Sequence, residues 1–283
     1  MEAHGRDRLK HLIRASVPRP VRNWLRSPSA SMAWVWDAAM FSFGFTETLR
    51  ISPDISIICH PRAFKVAYEA QIVDPEQSAE FQKFLSYCSA KMFLFDIGAH
   101  FGVFSLAAAH FGATAIAVDP SPIATQMIAK QAALNGWTSK IQIVQAAVND
   151  AGGTVDMLST GVFGNGYFKF DTARLRKELT RTPAITIDQM ASKFGAPTHI
   201  KIDVEGQEAA ALRGGRETFK QFSPVLFLEL HNEMIAAQGG DRNAALDEVK
   251  SLGYGILSLD GMELDRTAIF EKPLIRVVAS RRD

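Results

Sequence analysis

Met92-Phe93-Leu94-Phe95-Asp96-Ile97-Gly98-Ala99-His100-Phe101-Gly102-Val103-Phe104-Ser105 joins an apolar run to a helix through a glycine turn. Met92 to Ile97 shows no polar alternation, the pattern of a parallel strand covered by helices on both faces. The run stops at Gly98, and from Phe101 onwards Val103, Phe104, Leu106, Ala107 and Ala108 take up helical spacing. A strand ending in an acid, then a glycine turn, then a helix N-terminus is the first unit of a nucleotide-binding α/β sheet. Gly98 is needed at the turn because a side chain there would crowd a ligand at the strand end.

The surroundings of the turn select the ligand. A dinucleotide site carries G-x-G-x-x-G, whose second glycine lets the backbone approach a pyrophosphate. Here His100 holds that place, and only Gly98 and Gly102 remain. Asp96 puts a carboxylate beside the turn, where it repels phosphate but attracts a ligand bearing an amino group and a sulfonium. S-adenosylmethionine has both. A second apolar run, Ala115 to Val118, ends in Asp119 about twenty residues on, where a carboxylate can accept from both ribose hydroxyls. Asp96, Gly98, Ala99, His100 and Gly102 are therefore expected around the methionine half of the cofactor, with Asp119 at its ribose. Ala147 and Asp150, after the third strand, are candidates for the adenine rim.

Composition sets the frame. The chain has 283 residues, 47% hydrophobic and 22% charged, enough for one large or two small domains. A formal net charge of +1 gives no general pull towards nucleic acid or membrane. Cys59 and Cys88 read as two reduced core thiols, since no signal-like start precedes them. No apolar run reaches the length of a membrane span, and a soluble, cytoplasmic protein is expected.

The first thirty residues stand apart. Arg6, Arg8, Lys10, Arg14, Arg19, Arg22 and Arg26 face only Glu2 and Asp7, and Trp24, Trp34, Trp36 and Phe41 follow. This segment is either a helical arm folded on the catalytic domain or a basic amphipathic surface making peripheral contact with an anionic membrane. Ile51 to Ala70 reads as a hairpin turning at His60-Pro61-Arg62, and Glu76 to Tyr87 as an amphipathic helix with Phe81, Phe84 and Leu85 on one face. Residues 1–89 then form a helical and extended appendage, and 90–283 the cofactor domain.

Within that domain the pattern predicts helix 102–112, strand 114–118, helix 122–135 and strand 141–148. Residues 149–185 break the rhythm: a short strand runs from Thr154 to Leu158, then Gly161, Gly164 and Gly166 surround Phe163, Asn165, Tyr167 and Phe168. Such a loop serves as a substrate wall or is a plain hairpin. The α/β pattern resumes with strand 199–204, helix 207–221, strand 225–230, helix 241–252 and strands 254–259 and 274–279.

His199-Ile200-Lys201-Ile202-Asp203-Val204-Glu205-Gly206 is the second informative stretch. Alternation puts Lys201, Asp203 and Glu205 on one side of their strand; Glu229 and His231 occupy matching places in the next. Ligands in open α/β sheets bind beyond the carboxyl ends of the strands, so Asp203, Glu205 and His231 are expected to converge there with Asp96 and Gly98. Lys201 and Glu229, deeper in their strands, read as a mutual ion pair. His231 is the expected general base, with Asp203 and Glu205 orienting the acceptor, and His100 is a rival base on the glycine loop. A divalent metal on Asp203, Glu205 and His231 is chemically open, but no further acids cluster in the sequence there and none is expected.

Phe95-Asp96-Ile97-Gly98-Ala99-His100-Phe101-Gly102, Ile200-Lys201-Ile202-Asp203-Val204-Glu205-Gly206-Gln207-Glu208 and Leu228-Glu229-Leu230-His231 together resemble the FkbM-type S-adenosylmethionine-dependent methyltransferases. The family's usual loop carries asparagine where this chain has His100. The resemblance implies a class I methyltransferase fold: a Rossmann-like α/β sheet of seven mostly parallel strands, the last antiparallel. It also implies methyl transfer to a hydroxyl of a small-molecule or glycan acceptor, a sugar or secondary metabolite. Nucleic acid is not an expected partner, for the chain lacks an N/D-P-P-Y/F-type motif and a basic stripe at the sheet end. The rival class is a non-catalytic cofactor-fold module that docks on a membrane or partner through the basic N-terminus.

Overall fold

The computed structural model describes residues 43–52, 55–60, 74–159, 168–169 and 179–281. The basic N-terminal segment, Pro61-Arg62 of the expected turn and the glycine-rich stretch 161–167 lie outside them.

A hairpin of β1 (Glu47–Ser52) and β2 (Ile55–Cys59) comes first, then helix α1 (Pro75–Leu85). In this hairpin Ser52 pairs with Ile55; the turn expected at His60-Pro61-Arg62 lies outside the described residues beyond His60. Asp74 starts α1 by accepting from the amides of Glu76 and Gln77, and Pro75, which has no N–H to lose, takes the first helical position.

The main sheet is built from β3 (Phe93–Ile97), β4 (Thr114–Asp119), β5 (Ile141–Gln145), β10 (His199–Ile202), β11 (Val225–Leu230), β12 (Tyr254–Leu257) and β13 (Ile275–Arg281). Their order across the sheet is β12-β13-β11-β10-β3-β4-β5, with β13 antiparallel to both neighbours and the β11-β10-β3-β4-β5 run parallel. Strand order reverses between β3 and β10, which places the crevice for a ligand at the carboxyl ends of those two strands.

Between the strands run α2 (Val103–His110), α3 (Pro122–Leu134), α4 (Ile187–Phe194), α5 (Glu208–Arg213), α6 (Arg216–Phe222), α7 (Asn232–Ala237), α8 (Asn243–Ser251) and α9 (Arg266–Phe270). Alternation sends Leu94, Ala115, Ala117, Phe227 and Val278 into one apolar layer with α1, α2 and α3. Phe95, Ile97, Ile116, Val118, Ile200, Ile202 and Leu228 enter the opposite layer with α4, α5, α6 and α8. The helix expected within the appendage thus packs directly on the sheet. Its Phe84 meets Phe104 and Phe227 edge-on, at 4.9 and 5.4 Å between ring centres.

Three further differences have physical causes. The strand expected over 141–148 is two: after Gln145 the chain leaves the main sheet, and β6 (Ala147–Val148) pairs with β9 (Leu179–Ile185). With β7 (Gly153–Ser159) and β8 (Phe168–Lys169) they make a second sheet, β6-β9-β7-β8. β9 escapes the sequence pattern because it is polar and contains Pro183, which removes a donor from any ladder. The helix expected over 207–221 breaks at Gly214-Gly215, where the backbone runs so close to Asn149 that a Cβ on Gly214 would overlap its carbonyl. Cys59 and Cys88 are both free, as expected, and burial pushes each thiol up to about 12.

Candidate active site

The glycine turn is fixed from both sides. The Gly98 and Ala99 amides donate to the Val118 carbonyl at 2.9 and 3.0 Å, tying the end of β3 to β4. The Asp203 amide donates to the Ile97 carbonyl at 3.0 Å, tying it to the chain leaving β10. Gly98 sits at φ +79, and a Cβ there would overlap the Asp203 carbonyl oxygen. Gly98 is therefore required by the approach of Asp203, a backbone contact, as well as by its left-handed conformation. Gly102, at φ +78, caps α2 with Ile128 packed against it.

His100 is also left-handed, at φ +49. Asn and His are among the few non-glycine residues that enter this region, which explains how histidine stands where the family pattern has asparagine. Its amide donates to Asp119 Oδ2 at 2.8 Å, and its ring lies on Phe101 with 4.0 Å between centres. Desolvation lowers the imidazole to about 4, so the ring is neutral near pH 7. Asp119 Oδ1 accepts from the Ser121 amide at 2.8 Å. Burial raises this carboxyl to about 7, against the pull of its two amide donors. Each Asp119 oxygen keeps acceptor capacity, which fits a vicinal diol such as a ribose.

The remaining cofactor candidates are placed differently. Ala99 is buried at the turn. Asp96 is buried too, with its carboxylate turned onto the start of α2, accepting from Ser105 N at 3.0 Å and Ser105 Oγ at 2.6 Å. Desolvation raises its pKa and the Ser105 bonds oppose the rise. Asp96 thus holds a helix N-terminus, a favourable place for an acid. Ala147 is buried in β6 opposite Ala184, and Asp150 is exposed and paired with Arg213 at 3.1 Å.

Asp203, Glu205 and His231 converge. β10 ends at Ile202, so Asp203 and Glu205 lie in a turn beyond it rather than on a strand face with Lys201. That turn passes through the left-handed region at Glu205 (φ 54) and Gly206 (φ 95) before α5 begins. His231 caps α7 at the end of β11. Its Nε2 stands 3.6 Å from Asp203 Oδ1 and 3.6 Å from Glu205 Oε2. Its Nδ1 is 2.7 Å from Glu208 Oε1, which also accepts from the Gly206 amide at 2.9 Å. A carboxylate that is already accepting requires the ring hydrogen on Nδ1. Burial opposes a charge on this ring, but the Glu208 hydrogen bond and the charges of Asp203, Glu208 and Glu205 outweigh it and raise the imidazole to about 9. Asp203 is raised well above its ordinary value by desolvation and by the Glu229 charge, against Lys201 and His231.

Sequence pattern alone misses Glu208. It is fully buried as the first residue of α5; its signals in the sequence are its place three residues after Glu205 across a glycine turn and at the end of the block that carries the family resemblance. The expected Lys201–Glu229 pair forms at 2.6 Å, within a larger buried group. Glu80 of α1 lies 3.1 Å from Lys201, and Arg276 of β13 forms ion pairs with Glu229 at 3.0 Å and Glu80 at 3.3 Å. Two cations and two carboxylates thus balance beneath the site.

A parallel sheet with one reversed strand, a glycine turn at the crossover and an acid at the end of the next strand make up the class I methyltransferase fold. The chain belongs to the FkbM methyltransferase family: the model for the methyltransferase FkbM domain matches residues 96–256, more than half of its length. A search of curated proteins returned no match. Among solved structures, it is similar to a methyltransferase FkbM from Methylobacillus flagellatus, with 18% identity and a TM-score of 0.45. That match covers 68% of this chain and 44% of the other, so this chain spans under half the length of that protein. A TehB-like SAM-dependent methyltransferase from Corynebacterium glutamicum matches with 10% identity, 79% and 98% coverage and a TM-score of 0.43. A precorrin-6y C5,15-methyltransferase from Geobacter metallireducens matches with 10% identity, 74% and 90% coverage and a TM-score of 0.43. Among the described residues, no helix is long and apolar enough to cross a membrane.

Proposed function

We propose that the protein binds S-adenosylmethionine and transfers its methyl group to a hydroxyl oxygen of a sugar or small hydroxylated metabolite. When bound, the cofactor supplies an electrophilic methyl group on a sulfonium. One observation carries the reading: the turn bearing Asp203 and Glu205 is hydrogen-bonded to Ile97 and packed over Gly98. The acceptor cluster and the cofactor turn are therefore one rigid unit, the arrangement that alignment of two reactants needs. Asp119 receives the ribose, and the turn from Gly98 to Gly102 lies along the methionine half. Asp203 and Glu205 orient the acceptor hydroxyl, and His231 Nε2 takes its proton.

The charge state of His231 gives this role a pH signature. With the imidazole raised to about 9, the ring accepts a proton only in the fraction that has lost its own. In chelator-treated protein kcat/KM is expected to rise with pH up to about 9. His231→Ala should lower kcat by about a hundred- to ten-thousand-fold and remove that rise, with cofactor affinity nearly unchanged. His100→Asn should be tolerated, because asparagine suits the same left-handed backbone. Loss of turnover in His100→Asn with His231→Ala still active would move the base to the glycine loop. Incubation with labelled cofactor and a panel of glycans and hydroxylated metabolites identifies the acceptor; labelling of none of them would contradict the reading.

A further inference from the structure

His231 Nε2, Asp203 Oδ1 and Glu205 Oε2 face one another across a short gap. With its Nδ1 hydrogen directed to Glu208, His231 turns Nε2 towards the two carboxylates, where it carries a proton as imidazolium or, once neutral, offers its lone pair to a cation between them. Lys201 lies deeper, engaged with Glu229 and Glu80. A third carboxylate, Glu208, lies behind the ring, and its Oε2 is buried with no hydrogen-bond partner among the described residues. Three acids therefore surround one imidazole.

The distances suit a cation in that gap. His231 Nε2 is 3.6 Å from each carboxylate oxygen, too long for a hydrogen bond, on a side chain only 9% exposed. All three donor atoms lie within 4.8 Å of one another. Bonds of about 2.0–2.2 Å from a cation to carboxylate oxygen and imidazole nitrogen put neighbouring donors roughly 3–3.5 Å apart. The two 3.6 Å spacings to His231 Nε2 are close to those of donors around a common ion. The hydrogen bond from Nδ1–H to a carboxylate is the arrangement that fixes the ring of a metal-ligating histidine.

We propose that Asp203, Glu205 and His231 Nε2 form a site for one divalent cation, with Glu208 holding the imidazole in register. Two carboxylates and one imidazole form a mixed oxygen–nitrogen set suited to an ion such as Mn2+, with the other coordination positions open. Three protein ligands leave room for the oxygen of an acceptor, whose hydroxyl a cation acidifies. In that state His231 is a ligand, and its action as a base belongs to the metal-free protein. The inference rests on the reading above only for what the open positions receive; cation binding stands without it.

Titration of the full chain with Mn2+ alone, followed by loss of the free-ion electron paramagnetic resonance signal, tests the site without any turnover. One Mn2+ should bind per chain. Asp203→Asn and Glu205→Gln should each weaken binding at least about tenfold. Glu208→Gln, which touches no ion and keeps the side-chain shape, should weaken it about 10–100-fold while leaving the melting temperature nearly unchanged. Asp247→Asn, at the surface on Arg266, should leave it unchanged. Asp203 is one-third exposed, so its asparagine variant keeps the test available where a His231 variant fails to fold. No Mn2+ uptake by the wild type, or equal uptake by Asp203→Asn and Glu205→Gln, would overturn the site. Methyl transfer with no Mn2+ uptake removes the metal and leaves the methyltransferase reading intact; Mn2+ uptake by a protein that ignores S-adenosylmethionine does the reverse.

Discussion

Gly98→Ala is expected to abolish cofactor binding and to destabilise the protein by about 2–5 kcal/mol. A side chain at φ +79 costs about 1–2 kcal/mol by itself. The methyl group must also displace the Asp203 carbonyl, and overpacking of this kind costs about 1–3 kcal/mol. Asp203 cannot retreat cheaply, because its amide is bonded to Ile97 and its side chain belongs to the cluster with His231. One methyl group thus disturbs the cofactor turn and the acceptor cluster together. Equilibrium urea unfolding reads the first effect and calorimetry with cofactor the second. An alanine variant of unchanged stability and affinity would mean that β3 and β10 do not meet as described.

Lys201→Met is the other large expected effect, a loss of about 3–5 kcal/mol in urea unfolding, because it strands buried carboxylates. Burial and the Glu229 charge push Glu80 up to about 7 even with its cations present. Glu229 is held at about 2: burial opposes its charge, but Lys201 and Arg276 outweigh that. Without Lys201 a single Arg276 faces both acids. Lys201→Met/Glu229→Leu, which removes one charge of each sign, should be less destabilised than Lys201→Met alone. A single variant that loses under about 1 kcal/mol would show that the group is not shut off from water.

How far the sequence reveals this molecule depends on the range of the forces involved. The glycine turn, the apolar strands and the alternation of Lys201 with Ile200 and Ile202 are local, and each is found where the pattern puts it. β9 was hidden because its residues read as polar loop around Pro183; its strand character comes from β7 and β6 on either side. The break at Gly214 comes from Asn149, far away in the chain, and nothing within the helix announces it. The site divides in the same way. Asp119 and His231 end their strands and are legible there, whereas Asp96 points to Ser105 instead of standing open at the turn. Glu80 and Arg276 come from opposite ends of the chain to a lysine between them, and no local pattern links the three. Glu205 was placed by strand alternation, but its left-handed turn is what brings it to His231.

Calorimetric titration of the full chain with S-adenosylmethionine and, separately, with NAD tests the central claim most directly. The account predicts one S-adenosylmethionine per chain, NAD weaker or absent, and at least about a tenfold loss in Asp119→Ala, because hydrogen bonds to a charged group contribute about 1.5–3 kcal/mol. Tighter binding of NAD, or an Asp119→Ala variant that binds S-adenosylmethionine as well as the wild type, would contradict it.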